Sequence, residues 1–323
     1  MKREARRPAR WLCAAARPTL GFVVVLWSSC YAPPDDARPL LALNELRAFR
    51  LDESFVPFGA EIGNDTAVIA WDRRDSRILV LSTDWRSSHV LQIRLRDPAD
   101  TIVAASRVGS DVLEIATMSG ISRYPTTEHR VEVLHSFESM RVVAADPGGN
   151  GWNLVAVQNS ALGPGDVVFA SWREDEWQVG RLPFTPAAVT AIPPSLSETH
   201  EAALIVRERR APHAAVIVDA SGGIRRWPAF DLAMTSGGEE DGLLHLTGIH
   251  RIGDYLLQVM ADLKSDTRIL AVSESDGRVL RSRVLDVPFG ILGASEDGGL
   301  ALGLRGEPPS RELVLYSIAV TPR

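Results

Sequence analysis

The chain has 323 residues, 45% of them hydrophobic and 24% charged, with a formal net charge of −6. These are ordinary values for a folded protein with length enough to bury a core, and the negative balance argues against a nucleic-acid partner, because phosphate backbones are bound by clustered positive charge. The two cysteines, Cys13 and Cys30, both fall in the first thirty residues, which excludes a disulfide framework, a Cys-ligated zinc and a thiol nucleophile from the body of the chain.

The chain opens on a basic stretch, residues 1–10, followed by the apolar run Leu20–Trp27 and then Ser28-Ser29-Cys30. A positive n-region, a short h-region and small residues before a cleavage point read as a secretory signal over residues 1–29. The apolar run is shorter than the ~20 residues a bilayer span needs, and Arg17 and Pro18 interrupt its extension. Leu26–Cys30 resembles the lipobox of bacterial lipoproteins, although Trp27 stands where Leu is usual. The resemblance implies cleavage before Cys30, acylation of Cys30, and an extracytoplasmic protein held in the cell envelope by its lipid. An ordinary cleaved signal and an uncleaved anchor are the alternatives. Removal of residues 1–29 leaves 29 basic against 40 acidic residues, a net of −11. Residues 30–42 carry the cysteine and a Pro/Asp-rich segment, Tyr31–Pro39, with almost nothing to bury, which is the composition of an extended tether.

From residue 43 to 323 the chain reads as short apolar runs separated by turn residues, hence all-β. The clearest unit is Leu243–Ile249, Tyr255–Leu263, Arg268–Ser273 and Arg278–Leu285, punctuated by Asp254, Ser265-Asp266 and Asp276-Gly277. An Asp-Gly pair between apolar runs is a strong hairpin signal, because its backbone tolerates the positive φ of tight turns. The same meander begins at Gly59, Thr101, Arg141 and Ala188, with fourth strands expected at Val90–Leu95, Val131–Phe137, Trp177–Leu182 and Ile224–Phe230. A last unit, Gly290–Ala294, Leu300–Leu304 and Arg311–Val320, is one strand short. Leu43–Leu51, the unassigned apolar stretch near the other end, would complete it and spare the ring an open edge. The predicted architecture is therefore a six-bladed β-propeller of four-stranded antiparallel blades, its last blade closed by an N-terminal strand.

Alignment of third strands places Ser82, Tyr124, Ser171, Asp219, Ser273 and Ser317 at equivalent sites, 42 to 54 residues apart. First strands carry small pairs (Gly59-Ala60, Ala104-Ala105, Ala144-Ala145, Gly293-Ala294), as strands crowded about an axis should. Second strands such as Leu154–Val157 are apolar on both faces, as expected between neighbouring sheets. In length and blade number the chain resembles the six-bladed class that includes NHL-type and Tol-type periplasmic propellers. The WD40 signature is missing, since Trp71-Asp72 has no partnering Gly-His.

No nucleophile elbow, zinc-binding helix motif or phosphate-cradling loop is present, so no catalytic residue, metal ligand set or cofactor is assigned. His245 and His250, five apart on one strand, would point to opposite faces and cannot chelate as a local pair. Gly237–Asp241 lacks the alternating acidic spacing of a calcium loop and reads as a solvated turn. Two basic clusters stand out in this acidic chain: Arg73-Arg74, and Arg207 with Arg209-Arg210. Both fall between second and third strands and so share one face of the ring, where Arg73, Arg74, Arg209 and Arg210 could hold an anionic ligand. The competing expectation is that Asp72, Asp75 and Glu208 neutralise them. Trp71, Trp85, Trp152, Trp172, Trp177 and Trp227 are scattered mostly within strands, which suits blade packing. The expected function is a membrane-tethered, monomeric binding module for a protein partner or ligand. The alternative is a hydrolase resembling the six-bladed calcium-dependent lactonases, for which Glu61, Asn64 and Asp146 are possible channel ligands.

Overall fold

The computed structural model describes residues 41–320 except 64, 110, 127–130, 149–150, 160–164, 174–175, 187–194, 197–200, 207–213, 220–222, 227–243, 253–254, 263–267, 274–278, 286–288 and 296–298. The chain divides into two units, residues 1–39 and 40–323, and every described residue belongs to the second. The expected signal, Cys30 and the tether lie outside the described residues, as do Trp227, Gly237–Asp241 and the predicted strand Ala188–Ile192.

β1 (Leu41–Arg50) comes first in the chain. The first blade follows as β2 (Gly59–Ile62), β3 (Val68–Asp72), β4 (Arg77–Leu81) and β5 (Ser88–Gln92). The second is β6 (Ile102–Gly109), β7 (Val112–Thr117), β8 (Gly120–Pro125) and β9 (Glu132–Ser136). The third is β10 (Met140–Gly148), β11 (Gly151–Gln158), β12 (Val167–Arg173) and β13 (Glu176–Leu182). The fourth is β14 (Ser195–Leu196), β15 (Glu201–Val206), β16 (Ala214–Asp219) and β17 (Ile224–Arg226). The fifth is β18 (Leu244–Ile252), β19 (Tyr255–Asp262), β20 (Arg268–Ser273) and β21 (Val279–Leu285). The last holds β22 (Phe289–Ala294), β23 (Leu300–Arg305) and β24 (Glu312–Val320).

Each blade is an antiparallel meander, and β1 is the fourth strand of the last one, in the order β22-β23-β24-β1. It pairs with β24 from Leu41 opposite Val320 to Arg50 opposite Glu312. Inner strands pack in a closed circle: β2 with β6, β6 with β10, β10 with β14, β14 with β18, β18 with β22, and β22 with β2. The fold is the expected six-bladed β-propeller, and residues from both ends of the described chain form its closing seam. Arg305 fastens that seam, reaching Glu45 of β1 at 2.7 Å and Glu312 of β24 at 2.7 Å.

Burial follows position in the blade. β3 is buried at all five residues, whereas β5 is exposed at four of five. A second strand lies between two neighbouring sheets and a fourth strand meets water, which is why Val68-Ile69-Ala70-Trp71 has no polar face. The core is a set of seams. One joins Trp71 and Ile78 of the first blade, Ile115 of the second and Trp152 of the third; others join the sixth blade to the first, the fifth to the sixth, and the third to the fourth. The tryptophans serve these seams. Trp71, Trp85 and Trp152 are buried, and Trp71 Nε1 donates to the Val103 carbonyl of the next blade at 3.1 Å. Trp152, Trp172 and Trp177 lie directly opposite one another across β11, β12 and β13.

Inner strands share a feature absent from the sequence reading. Val103, Val143, Thr247 and Leu292 are each skipped in the pairing with the second strand, so four inner strands bulge at the same place. The residue after each bulge is Ala104, Ala144, Gly248 or Gly293. A Cβ on Gly293 would lie inside the van der Waals radius of the Ala60 carbonyl oxygen on the next inner strand. Only the smallest side chains fit where one inner strand faces the next.

Two expectations shift. The outer strand of the first blade is Ser88–Gln92, two residues ahead of its predicted start. The third-strand alignment holds for Ser171 and Ser317, which occupy one cross-strand row with Asp146 and Ser295 respectively. Ser82, Tyr124 and Ser273 fall one or two positions off that row.

Candidate functional site

The meander decides which residues share a face of the ring. Inner strands all begin on one face, where second strands also turn into third strands and outer strands lead to the next blade. Arg73 and Arg74 lie on this face, in the turn after β3. So do Arg94 and Arg96 after β5, Met118 after β7, and Arg141 at the start of β10.

The β3–β4 turn is built on Asp72, whose residue is fully buried. One carboxylate oxygen accepts from the backbone N–H groups of Arg74 at 2.9 Å and Asp75 at 3.3 Å. The other accepts from the Val56 N–H at 3.2 Å and from Arg77 Nη2 at 2.7 Å. Burial opposes ionisation of Asp72, but the Arg77 bond and the three backbone donors outweigh it and hold the carboxyl below its ordinary pKa. Asp75 also pairs with Arg77, at 3.0 Å. Both flanking acids make their ion pairs with Arg77, and among the described residues neither pairs directly with Arg73 or Arg74.

Arg73 instead lies over the ring of Phe58, 5.1 Å from its centroid. Burial, and then the positive charge of Arg141, pull its guanidinium below the ordinary arginine value. Arg141 sets Nε and Nη2 at 3.4 and 3.2 Å from the Met118 sulfur, a weak acceptor. The charge of Arg141, at the start of the third blade's inner strand, is thus felt at Arg73 on the first blade. Among the described residues neither has a carboxylate partner. Arg74 is exposed and does not join them; Arg209 and Arg210 lie outside the described residues. Sequence reasoning missed Phe58, Met118 and Arg141. Arg141 was within reach, because the first residue of any inner strand opens on this mouth.

Alongside, a groove of about 280 Å³ runs under the connection Ile93–Arg96 and includes Asp100, Ser119 and Tyr124. Asp100 is held by the Ser119 hydroxyl at 2.5 Å, and Asp97 caps its own turn by accepting from the Ala99 N–H at 2.8 Å.

Within the channel a polar row follows the bulges. The third residue after each is Ser106, Asp146, His250 or Ser295, and Glu61 takes the matching place in β2, after Gly59-Ala60. Glu61 accepts from Ser106 Oγ at 3.0 Å and from the Arg107 N–H at 2.9 Å on the next inner strand. His250 bonds the Ile291 backbone of the next inner strand; its Nε2 is sealed from solvent and has no partner, although part of the residue stays accessible. Burial drives the His250 pKa down to about 4. At the opposite mouth Glu61, Asp65 and Arg107 edge a pocket of about 360 Å³, with Arg107 Nη1 3.8 Å from Asp65.

The bulge at Thr247 also corrects the reading of the two histidines. Residues 245 and 250 sit opposite Ala261 and Leu257, four apart on β19, so they share a face of the sheet. Four residues of strand still separate them by roughly 13 Å, too far for a local pair. In the third blade Asn153 and Ser171 are buried opposite each other, and neither side chain has a hydrogen-bond partner.

No protein-family model matches the chain, and no curated protein matches it in sequence. Among solved structures it is similar to a luciferin-regenerating enzyme, with a TM-score of 0.57 and 9% identity over 86% of this chain and 95% of that one. It is similar to the calcium-binding protein regucalcin from Agrobacterium tumefaciens, at TM-score 0.54 and 10% identity, covering 84% and 94% of the two chains. A gluconolactonase from Xanthomonas campestris matches at TM-score 0.54 and 13% identity over 88% and 95%. At such identities the likeness is one of fold.

Proposed function

We propose that this chain is an envelope-tethered, extracytoplasmic propeller that binds a protein partner through the face on which its inner strands begin. The observation that carries this reading is the gathering of Arg73, Arg74 and Arg141 on one face, where Asp72 and Asp75 make their ion pairs with Arg77. In a chain of net −11 beyond residue 29, the exposed arginines of this face are the groups to which acidic side chains of a partner would pair. Arg94 and Arg96 extend that surface, while Asp97 and Asp100 on the same face are engaged in turn bonds. Tethering rests on the lipobox-like Leu26–Cys30 and the Pro/Asp-rich segment after it. Crosslinking and pull-down of the tethered protein from its native envelope, beside an Arg73→Glu/Arg141→Glu variant, tests this. A partner captured by the natural protein and lost from the variant supports the reading, and equal capture by both sinks it.

The second reading, hydrolysis at a calcium ion in the channel, draws on the neighbours' names, a calcium-binding protein and a gluconolactonase. Of the three candidate ligands, Asn64 lies outside the described residues. Glu61 already bonds Ser106 and Arg107, and among the described residues no three His, Cys, Asp or Glu side chains converge. Metal analysis of the purified protein decides it, with stoichiometric calcium favouring the enzyme.

A further inference from the structure

We propose that the free edge of β5 takes up an extended segment of a partner protein as an added strand of the first blade. The segment carries Asp or Glu on either side of a short uncharged run. The edge belongs to the rim of the ring, and its use does not depend on the binding face proposed above.

Every blade ends in an outer strand with one unpaired edge, and such an edge invites further pairing unless charge or a bulge prevents it. Five of the six outer strands are guarded in this way. Glu45 and Arg47 stand on β1, Glu132 on β9, Arg181 on β13, Arg225 on β17 and Arg281 on β21, and β1, β9 and β21 also bulge. β5 alone has no Asp, Glu, Lys or Arg, and its ladder with β4 is unbroken from Ser88 opposite Leu81 to Gln92 opposite Arg77.

The ladder continues by one bond at each end. The Ser82 N–H donates to the Ser87 carbonyl at 3.0 Å, and the Ile93 N–H donates to the Ser76 carbonyl at 2.9 Å. In antiparallel pairing, alternate residues turn their backbone groups to the same side. Ser87, His89, Leu91 and Ile93 therefore face β4, and Ser88, Val90 and Gln92 hold their N–H and C=O groups out to the edge. Among the described residues no strand pairs with that edge, and Val90 is 51% exposed. A strand laid there would bond those backbone groups and cover Val90.

The ends of the edge decide its occupant. Arg86 and Arg94, both exposed, bound the uncharged run 87–93, and neither makes an ion pair among the described residues. Asp84, two residues before Arg86, gives one oxygen to the Ser82 hydroxyl and the Arg86 N–H. A second copy paired antiparallel about Val90 would set Arg86 against Arg94 at both ends, and like charges directly opposite are destabilising. The chain's own segment Tyr31–Pro39 holds three prolines, which lack the N–H that a ladder needs. An uncharged, β-branched run with an acid at each end matches the edge in either direction.

A phage-displayed library of random linear peptides, panned on the mature, detergent-solubilised protein, supplies the probe. Enriched peptides should carry an uncharged, β-branched run between acidic residues. The most enriched one, synthesised with a fluorophore, should bind saturably in anisotropy titrations and slow amide exchange at Ser88, Val90 and Gln92. Val90→Pro removes an outward N–H and no bond to β4, so it should weaken binding about tenfold or more. Arg86→Glu/Arg94→Glu should weaken it by a similar factor, and Arg73→Glu/Arg141→Glu should change it less than about twofold. The exchange pattern of the natural protein keeps the test decisive if Val90→Pro fails to fold. No enrichment, enriched peptides without acids, or protection on another blade overturns the proposal. So does dimerisation in sedimentation that Val90→Pro abolishes, which would give the edge to a second copy. Slow exchange at the three amides in the free protein, lost on removal of Tyr31–Pro39, would give it to that segment and overturn the proposal equally. Peptide binding that survives Arg73→Glu/Arg141→Glu while envelope capture is lost upholds both surfaces, and peptide binding lost from that variant moves the site to the face and refutes the rim.

Discussion

The indole Nε1 of Trp152, on the third blade, donates to the carboxylate of Glu114, on the second, at 3.0 Å. Glu114 is 8% exposed and its other oxygen pairs with Arg123, its cross-strand neighbour on the same blade, at 2.7 Å. Glu114→Ala removes the acceptor of a buried indole N–H and the partner of Arg123 and should cost about 1–3 kcal/mol. Glu114→Gln keeps an acceptor for the indole and should cost less. Urea unfolding of both variants checks the order; equal losses would show that charge, not the indole bond, matters at this seam.

Gly293 faces the Ala60 carbonyl oxygen of the neighbouring inner strand. Backbone cannot yield as a flexible side chain does, so Gly293→Ala should destabilise by about 1–3 kcal/mol through overpacking. Gly290, which has open space around its missing Cβ, is the control, and Gly290→Ala should be close to neutral. Thermal melts of the pair give the comparison.

His250 should make stability depend on pH. Its folded pKa of about 4 lies below the ordinary 6.5, so the unfolded chain takes up a proton that the folded chain refuses between those values. The contribution is intact above about pH 6.5, falls by about 1.4 kcal/mol per pH unit as acid is added, and levels off near pH 4. The whole loss would be roughly 3 kcal/mol. Chemical denaturation at several pH values should show that slope and should lose it in His250→Gln. An unchanged slope in the variant would assign it to other groups.

Asn153 and Ser171 are buried together without partners. Buried polar atoms of this kind are ordinarily satisfied by ordered water. Replacing the pair by Leu and Ala should therefore leave stability within about 1 kcal/mol or raise it, since three buried polar atoms with no protein partner disappear. A loss well beyond that, in urea titrations, would mean that these side chains hold more than water.

Lipidation has a direct readout. Mass spectrometry of the mature protein should find Cys30 as the first residue, carrying acyl chains. Cys30→Ala should leave the protein in the soluble extracytoplasmic fraction or block its processing. An unmodified first residue other than Cys30 would end the lipoprotein assignment.

Much of the fold was legible in the chain itself. Strand periodicity, Asp-Gly turns and small residues in first strands specify six similar sheets, because each of these signals is local and repeats. Even the closing seam could be read, from a last unit one strand short and an unassigned apolar stretch near residue 43. The inner-strand bulges were not legible, since an extra residue in a strand leaves the apolar pattern almost unchanged. They invert the facing of everything beyond them, which is why the parity argument for residues 245 and 250 failed.

The basic cluster at Arg73-Arg74 was visible as an exception to an acidic composition, and so was the face it occupies. What its charges meet was decided only by the closed ring. Asp72 and Asp75 adjoin Arg73 in sequence, yet the turn commits them to Arg77. Arg141, sixty-eight positions away, is the residue whose charge Arg73 feels. Sequence fixes the order of strands because hydrophobic pattern and turn chemistry act between near neighbours. The pairing of side chains at the channel mouth depends on the closing of a circle, and no local segment carries that.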